Sequence, residues 1–326
     1  MSERPVAVVL GTGADDPPPG IEAAADHVEL RYAHDGAALP GAIRGADALF
    51  FWRAEGAWLR DAWPRADRLR WVQSASDGVD ALMFPELVAS DVEVTNARGV
   101  FEDAIAEWVI GAMLAFAARI LDQRDRQVRG EWESTERERL AGSRVLVVGP
   151  GPIGRATAVR ARALGMHIEA AGRTARLDEL FGEVVATSDT ETFHAALGQA
   201  DHVLDALPLT PATRGLFDAE RFAAMRPSGR FYNVGRGSTV DEAALIAALD
   251  RGAIAGAGLD VFVEEPLAAD SPLWAMPQVL ISPHMCGDVD GWEADVVKVF
   301  VENAGRFARG EPLSNRVDSA SGFGIG

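Results

Sequence analysis

A glycine-rich turn stands near the middle of the chain, between a short apolar run and a stretch with helical periodicity. The apolar run, Arg144–Val148, is typical of a buried parallel strand, and the helical pattern covers residues 154–164. The turn reads Gly-Pro-Gly-Pro-Ile-Gly, which has the G-x-G-x-x-G spacing. Because a strand precedes the glycines and a helix follows them, the motif predicts a dinucleotide-binding βαβ unit.

The residues of this turn are predicted to hold a pyrophosphate. Gly149 permits the tight turn, Gly151 lets the backbone approach the phosphates, and Gly154 allows close packing of helix on strand. Pro152 and Ile153 complete the turn, where the helix N-terminus attracts negative charge. We therefore expect all five residues to bind the cofactor.

Further apolar runs alternate with helical patterns along the chain. We predict buried parallel strands at Val6–Leu10, Ala48–Phe51, 167–171, 202–207, 230–234 and 256–261. Helices are predicted at 218–225, 241–249 and 292–307. This alternation predicts an α/β fold with doubly wound sheets.

The length of 326 residues suits two domains. The glycine motif comes too late for a single Rossmann domain that begins at the first residue. We therefore predict a Rossmann dinucleotide-binding domain at residues 100–287. It would be inserted into a flavodoxin-like substrate-binding (catalytic) domain made of residues 1–99 and 288–326.

Composition restricts the class of partner. The formal net charge of −18 argues against nucleic acid and anionic membranes, although local positive charge is still needed for an anionic substrate. The single cysteine, Cys286, excludes an intrachain disulfide and is expected to be a packing residue. With no signal-peptide pattern and no metal-ligand cluster, we expect a cytoplasmic protein without a metal.

The end of the second strand of the βαβ unit predicts the cofactor. An Asp or Glu here would hold the ribose 2′-hydroxyl of NAD, but this chain has Arg173 and Thr174, with Arg176 close behind. A guanidinium can grip a 2′-phosphate. We predict NADP(H) in preference to NAD(H); the alternative is a solvated Arg173 and an enzyme indifferent to the phosphate.

Three polar residues in short distinctive settings follow the glycine motif. They are Arg236 in Asn-Val-Gly-Arg-Gly, Glu265 in Val-Glu-Glu-Pro and His284 in Ser-Pro-His. Hydride addition to a 2-oxo acid creates an alkoxide, which needs a positive neighbour and a proton donor. Together the three residues supply a cation, an imidazole and a carboxylate that tunes it.

These motifs resemble the D-isomer-specific 2-hydroxyacid dehydrogenases over roughly residues 70–317. The resemblance is carried by several segments in the same order, namely 71–74, 78–80, 95–100, the glycine motif, 207–215, 233–237, 258–266 and 282–284. The Trp-Val-Gln-Ser segment, with Gly287, Asp288 and Trp292, is most similar to the glyoxylate/hydroxypyruvate reductase branch.

The resemblance implies roles for the catalytic residues. Arg236 would bind the substrate carboxylate and carbonyl oxygen, and His284 would be the general acid in reduction and the base in oxidation. Glu265 would hydrogen-bond to His284 and raise its pKa. The expected reaction reduces a small 2-oxo acid to the D-2-hydroxy acid with NADPH.

The resemblance also implies the surrounding contacts. Asp260 would lie near the nicotinamide, and further cofactor contacts are expected at Leu207, Pro208 and Val234. The substrate carboxylate would be held at Asp77, Gly78 and Val79, with Trp52 and Trp292 as candidate pocket walls or, alternatively, core residues. Asp77 departs from the small uncharged residues usual there, so either its side chain points outward or the substrate is unusual.

Two further questions stay open at this point. The apolar face of the predicted helix at 101–121 favours a homodimer through the Rossmann domain, with an interdomain core helix as the alternative. For function, 3-phosphoglycerate dehydrogenase and a dinucleotide-sensing corepressor are the alternatives. Formate dehydrogenase is disfavoured because that branch has glutamine where Glu265 stands.

Overall fold

The computed structural model describes residues 4–318 and the backbone of residues 323–324. The chain divides into two compact units, each with its own sheet. The first unit contains Met1–Phe101 and Asp290–Gly326, and the second contains Glu102–Val289. The sequence placed these boundaries two residues earlier, at 99/100 and 287/288.

Strands and helices are numbered along the whole chain. The strands of the first unit are β1 (Val6–Leu10), β2 (Glu29–Ala33), β3 (Ala48–Phe51), β4 (Trp71–Ser74), β5 (Glu93–Thr95), β14 (Arg316–Asp318) and β15 (Phe323–Gly324). Its helices are α1 (Leu39–Ala42), α2 (Gly56–Ala62), α3 (Pro85–Val88) and α10 (Trp292–Arg309). Short 3-10 turns lie at Ile21–Asp26, Trp63–Arg65 and Asp80–Leu82.

The sheet of the first unit has the strand order β15-β14-β5-β4-β3-β1-β2 within the described residues. Strands β1 to β5 are parallel, and β14 and β15 are antiparallel. The parallel part therefore has the flavodoxin-like order 2-1-3-4-5. Leu39, Leu59 and Leu87 bring α1 to α3 onto one face of the sheet, and Val296 and Phe300 bring α10 onto the other.

The second unit contains the remaining regular elements. Its strands are β6 (Arg144–Val148), β7 (His167–Gly172), β8 (Arg176–Asp178), β9 (Gly182–Ala186), β10 (His202–Asp205), β11 (Arg230–Asn233), β12 (Gly256–Leu259) and β13 (Val279–Ile281). Its helices are α4 (Glu102–Ala117), α5 (Ile120–Arg129), α6 (Pro152–Ala163), α7 (Thr190–Gln199), α8 (Ala219–Ala224) and α9 (Glu242–Asp250). Short 3-10 turns lie at Gly237–Thr239 and Pro272–Ala275.

The second sheet has the order β13-β12-β11-β10-β6-β7-β9-β8 within the described residues, with β8 antiparallel at the edge. Counted along the chain, the parallel strands give the Rossmann order 3-2-1-4-5-6, extended by one strand. Helices α7 to α9 cover one face and α4 and α6 the other. The order reverses between β6 and β10, so ligands are expected at the carboxyl ends of these two strands.

Three predicted strands of the second unit end earlier than expected. Strands β10, β11 and β12 end at Asp205, Asn233 and Leu259, whereas the sequence predicted that they extend to residues 207, 234 and 261. Leu207, Val234 and Val261, which the sequence assigned to these strands, are buried in the loops that follow them. These strand ends carry the candidate site.

The helix predicted at 101–121 is two helices. Arg119 has a φ of +55°, and α4 and α5 meet at 60° around it. Nothing in the sequence marks this break, since no glycine or proline stands there. Within the described residues no single helix is long and apolar enough to cross a membrane. Helices α4 and α5 would be long and apolar enough only if they are counted together, as this bent pair.

Candidate active site

The glycine turn after β6 has the backbone geometry expected of a phosphate cradle. A Cβ atom on Gly149, whose φ is +99°, would lie 2.6 Å from the Ala206 carbonyl oxygen. A Cβ on Gly154 would lie 2.3 Å from the Gly149 carbonyl oxygen, so a side chain fits at neither position. A Cβ on Gly151 would meet only open space at the start of α6. The residues present therefore fit a dinucleotide pyrophosphate, which needs that open backbone at a helix N-terminus.

The end of β7 brings positive charge next to this turn. A Cβ on Gly172 would be 3.3 Å from Pro150 Cδ and 3.5 Å from Arg176 Nη1, so the Arg176 guanidinium lies beside the glycine motif. Arg173 and Thr174 are exposed directly after the strand. The nearby acid, Asp178, is ion-paired with Arg155 of α6.

The loops after β10 and β11 pack backbone against backbone. A Cβ on Gly235 would lie 2.5 Å from the Leu207 carbonyl oxygen, which explains the glycine before Arg236. Thr213 Oγ1 donates a hydrogen bond to the Pro208 carbonyl oxygen at 2.7 Å. Val234 is buried, and its N–H donates to Asp205 O. The three cofactor contacts predicted here therefore lie in ordered loops at the carboxyl edge of the sheet.

Arg236 stands on a tight turn that Asn233 organises. Asn233 Oδ1 accepts from Gly235 N at 3.0 Å, and its Nδ2 donates to Arg236 O at 3.2 Å. The Arg236 guanidinium donates from Nη1 to Gly235 O at 2.7 Å. A Cβ on Gly237 would lie 1.9 Å from Phe262 backbone atoms, so the turn sits tightly against the loop that leads to Glu265.

Glu265 and His284 form a hydrogen-bonded pair. Glu265 Oε2 lies 2.7 Å from His284 Nδ1, and Glu265 Oε1 accepts from Phe262 N at 2.9 Å. About half of the His284 side chain is exposed, against a third for Glu265. Since Nδ1 faces the carboxylate, Nε2 is the ring nitrogen that can exchange a proton with a ligand.

The charges around this pair favour the imidazolium ion. The hydrogen bond that His284 donates to Glu265 raises the pKa of His284 despite its partial burial, and the Arg236 charge acts in the opposite direction. Burial acts to raise the pKa of Glu265, but the hydrogen bonds from His284 and Phe262 outweigh it and lower that pKa. The positive charge of Arg236 lowers the pKa of both Glu265 and His284, so it acts on both members of the pair.

Asp260 holds the loop that carries His284. Its buried Oδ1 accepts from Met285 N and Cys286 N, both at 3.0 Å, and its carbonyl oxygen accepts from His284 N at 2.8 Å. These bonds support the left-handed backbone of His284, whose φ is +55°. The structure gives Asp260 this positioning role, and the cofactor contact that the sequence predicted for it stays a prediction.

The predicted substrate residues of the first unit lie after β4. Val79 is buried and Gly78 is partly exposed. Asn96 Nδ2 donates to Asp77 O at 2.7 Å and to Asp77 Oδ1 at 3.0 Å. The Asp77 carboxylate thus accepts a hydrogen bond from an amide of its own unit, and its relation to the substrate stays a prediction.

The two tryptophans considered for the pocket stack on each other. Trp52 and Trp292 have ring centroids 6.0 Å apart at an interplanar angle of 21°, and Trp52 is buried. Arg53 is ion-paired with Glu293 and lies over the Trp52 ring. The two rings therefore belong at least in part to the core of the first unit, and their pocket role stays a prediction.

Sequence reasoning missed the buried polar residues behind the site. Asp205 and Thr239 are fully buried and hydrogen-bonded to each other, 34 residues apart in the chain. Cys286 is buried in the second unit, in agreement with a packing role. Within residues 4–318 no group of three His, Cys, Asp or Glu side chains is arranged to hold a metal ion.

Comparison with known proteins agrees with this geometry. The profile described as D-isomer specific 2-hydroxyacid dehydrogenase, NAD binding domain, matches residues 110–286. This chain belongs to the D-isomer specific 2-hydroxyacid dehydrogenase family. The matched region lies within the second unit and contains Arg236, Glu265 and His284. Members of this family are NAD(P)-dependent oxidoreductases, so the chain is an enzyme of that class.

Individual relatives support the same branch. The chain is 38% identical to glyoxylate/hydroxypyruvate reductase B of Salmonella newport over 225 residues, which cover 67% of this chain and 68% of the relative. It resembles a 2-hydroxyacid dehydrogenase family protein from Aeromonas salmonicida at 32% identity, with a TM-score of 0.83 and coverage of 98% and 100%. It also resembles an NADPH-dependent glyoxylate/hydroxypyruvate reductase from Sinorhizobium meliloti, solved with NADP and sulfate, at 28% identity, with a TM-score of 0.82 and the same coverage.

Proposed function

We propose that this chain reduces a small 2-oxo acid of the glyoxylate or hydroxypyruvate type to the D-2-hydroxy acid, using NADPH. The observation that carries the proposal is the hydrogen bond between Glu265 and His284, formed within reach of the Arg236 charge. Several relatives are named glyoxylate/hydroxypyruvate reductases. A structural turn would not need a cation, a carboxylate and an imidazole so arranged.

A bound NADPH supplies the hydride, and the side chains of this chain bind the substrate and supply the proton. Arg236 binds the substrate carboxylate and polarises the carbonyl oxygen, on which negative charge develops as C2 gains the hydride. His284 Nε2 then gives its proton to that oxygen. Glu265 keeps the ring oriented and favours its protonated form before the transfer. In the oxidation direction the neutral imidazole takes the proton back.

We propose NADPH as the preferred cofactor because of the charge at the end of β7. Arg173 and Arg176 supply guanidinium groups, and Arg176 lies beside Pro150 of the glycine motif. The acid that could repel a 2′-phosphate, Asp178, is neutralised by Arg155. The relative from Sinorhizobium meliloti was solved with NADP, which supports this choice.

The proposed substrate contacts of the first unit are Asp77, Gly78 and Val79, with Trp52 and Trp292. Their support is the family resemblance alone. The Asn96 hydrogen bonds to Asp77 are compatible with a role for the loop backbone, since they occupy one carboxylate oxygen with an amide. Asp77→Ala removes the carboxylate from this loop and leaves the backbone in place. It should therefore change KM for the 2-oxo acid more than kcat.

We also propose that the second unit forms a homodimer. Apolar side chains are exposed along the bent helix pair and the loop after it, where Ile120 is 51% and Val128 69% exposed and Trp132 is fully exposed. A second copy of the chain would bury such a surface. Light scattering on the wild-type protein should give twice the chain mass, and Trp132→Glu should weaken the dimer.

The proposed activity is tested by following NADPH absorbance with glyoxylate, hydroxypyruvate, pyruvate and bulkier 2-oxo acids, with NADH in parallel. Rapid oxidation of NADPH with one of the small acids is expected. If NADPH binds but nothing in the panel is reduced, the reductase proposal is wrong and a dinucleotide-binding sensor becomes the better reading.

A further inference from the structure

Asp205 is a buried acid for which the proposed mechanism has no use. It ends β10 at the carboxyl edge of the second sheet, and its side chain is fully buried. Its Oδ1 accepts a hydrogen bond from Leu207 N at 3.0 Å, and its Oδ2 lies 2.5 Å from Thr239 Oγ1. It therefore connects the loop that follows β10 to the turn that carries Arg236.

The hydrogen atoms available to Asp205, Thr239 and the Arg236 carbonyl show whether the Asp205 carboxyl group is protonated. Thr239 Oγ1 lies 2.5 Å from Asp205 Oδ2 and also 2.6 Å from the Arg236 carbonyl oxygen. Both distances are those of hydrogen bonds, and each requires a hydrogen. The threonine hydroxyl has one hydrogen and the carbonyl has none. The second must come from Asp205 as the neutral acid, which donates to Thr239 while Thr239 donates to Arg236 O.

The surroundings of Asp205 favour the neutral form. Burial raises its pKa to about 7, although the hydrogen bonds that the ionised carboxylate would accept from Thr239 and Leu207 act to lower it. On the neighbouring strands Asp205 pairs with Val148 of β6 and Asn233 of β11.

The ionisable groups of the elements packed around Asp205 are turned elsewhere. Arg144 and Arg230 lie at the opposite ends of β6 and β11, and the Tyr232 hydroxyl is hydrogen-bonded to His202. At the start of α9, Asp241 accepts from Ala244 N and Glu242 accepts from Val263 N. Helix α7 buries Phe193 and Leu197 on this side of the sheet, and both are apolar.

We propose that Asp205 is a positioning residue for Arg236, which it holds through Thr239 only while its own carboxyl is neutral. The proposal rests on the substrate-binding role of Arg236 in the proposed function. When Asp205 loses its proton, Thr239 can satisfy only one of its two oxygen neighbours. The Arg236 carbonyl then loses the hydroxyl bond and keeps those from Thr239 N and Asn233 Nδ2, so the turn is held less firmly.

The first test measures the protonation of the Asp205 carboxyl group directly and does not depend on turnover. The side-chain 13C resonance of Asp205 in aspartate-labelled protein is assigned by its absence in Asp205→Asn. It should titrate near neutral pH. Titration in the ordinary range of aspartate, around pH 4, would overturn the proposal whether or not the protein is a reductase.

The second test reads the consequence for the substrate. Between about pH 6 and pH 8.5, the wild-type KM for hydroxypyruvate should rise several-fold more than that of Asp205→Asn. The asparagine amide can donate to Thr239, and its oxygen can accept from Leu207 N, at every pH. Thr239→Val should show the raised KM at all pH values, and Asp250→Asn, an exposed acid of α9, should follow the wild type.

The two tests separate the possible failures. Identical KM profiles for wild type and Asp205→Asn would overturn the positioning role even if the carboxyl titrates near neutrality. Absence of turnover with every 2-oxo acid would contradict the proposed function. In that case the 13C titration would still decide whether Asp205 is a neutral acid.

Discussion

His284 Nδ1 lies 2.7 Å from Glu265 Oε2, and the two side chains stand on loops after different strands, β13 and β12. Each partner is also held by the backbone, Glu265 through Phe262 N and His284 through Asp260 O. The Glu265 carboxylate therefore cannot turn away without also breaking its bond to Phe262 N, and the bond from His284 N fixes the backbone from which the imidazole extends. This arrangement raises the pKa of His284 and leaves Nε2 as the nitrogen for proton transfer.

Removal of the Glu265 charge should shift the pH dependence of the reaction to lower pH. The carboxylate raises the pKa of His284, so Glu265→Gln lowers it. Reduction requires the protonated ring, and its rate should therefore fall at a lower pH than in the wild type. Oxidation requires the neutral ring and should begin at a lower pH. Profiles of kcat/KM in both directions check this, with the neighbouring exposed Glu264→Gln as the control; unshifted profiles would contradict the assignment.

Exchange of Arg236 for lysine should impair both substrate binding and turnover. Lysine keeps the charge but cannot make the two parallel hydrogen bonds of a guanidinium. We expect kcat/KM for the 2-oxo acid to fall by about 10²–10³-fold, as when one oxyanion donor is removed. NADPH binding should be nearly unchanged. Arg251→Lys, an exposed arginine after α9, is the control; an effect on KM for NADPH alone would move Arg236 to the cofactor site.

Loss of positive charge after β7 should reduce discrimination between the cofactors. The double variant Arg173→Ala with Arg176→Ala removes guanidinium groups proposed to bind the 2′-phosphate. KM for NADPH should rise by about 10–100-fold, the size of one charge-assisted hydrogen bond, while KM for NADH stays nearly constant. The exposed Arg137→Ala serves as control. Equal changes for both cofactors would argue against a phosphate contact.

A buried amide network should contribute strongly to the stability of the first unit. Asn303 of α10 is fully buried; its Nδ2 donates to Gln73 Oε1 at 3.0 Å and its Oδ1 accepts from Ser314 N at 2.8 Å. Asn303→Ala leaves buried polar groups unpaired and should lower the free energy of unfolding by about 2–4 kcal/mol. Urea denaturation measures this. The exposed neighbour Glu302→Ala should change it by less than about 0.5 kcal/mol, and a similar effect in both variants would contradict the role of the network.

Local patterns predicted the parts of the site that local chemistry determines. Strands Val6–Leu10, Ala48–Phe51 and Arg144–Val148 have the predicted bounds, because each is a continuous apolar run between turn residues. The glycine motif could also be recognised from the sequence, because Gly149 and Gly154 stand where a side chain would clash with the backbone. The pairing of Glu265 with His284 was implied by the family resemblance and not by local chemistry.

Contacts between distant parts of the chain left no such signal. Asp205 meets Thr239 across 34 residues, and Gln73 meets Asn303 across 230 residues. The residues next to each of these side chains in the sequence give no sign of its distant partner. The break at Arg119 was equally hidden, because an ordinary residue adopts the left-handed conformation there.

Single-turnover kinetics can show whether His284 is the proton donor of an NADPH-linked 2-oxo acid reductase. Enzyme loaded with NADPH is mixed with hydroxypyruvate, and the loss of NADPH absorbance is followed for wild type, His284→Asn and the exposed control His167→Asn. We expect fast loss of NADPH absorbance for the wild type and the control. We expect a rate lower by about 10²–10⁴-fold for His284→Asn, with NADPH affinity retained. A wild-type rate in His284→Asn would show that His284 is not the proton donor.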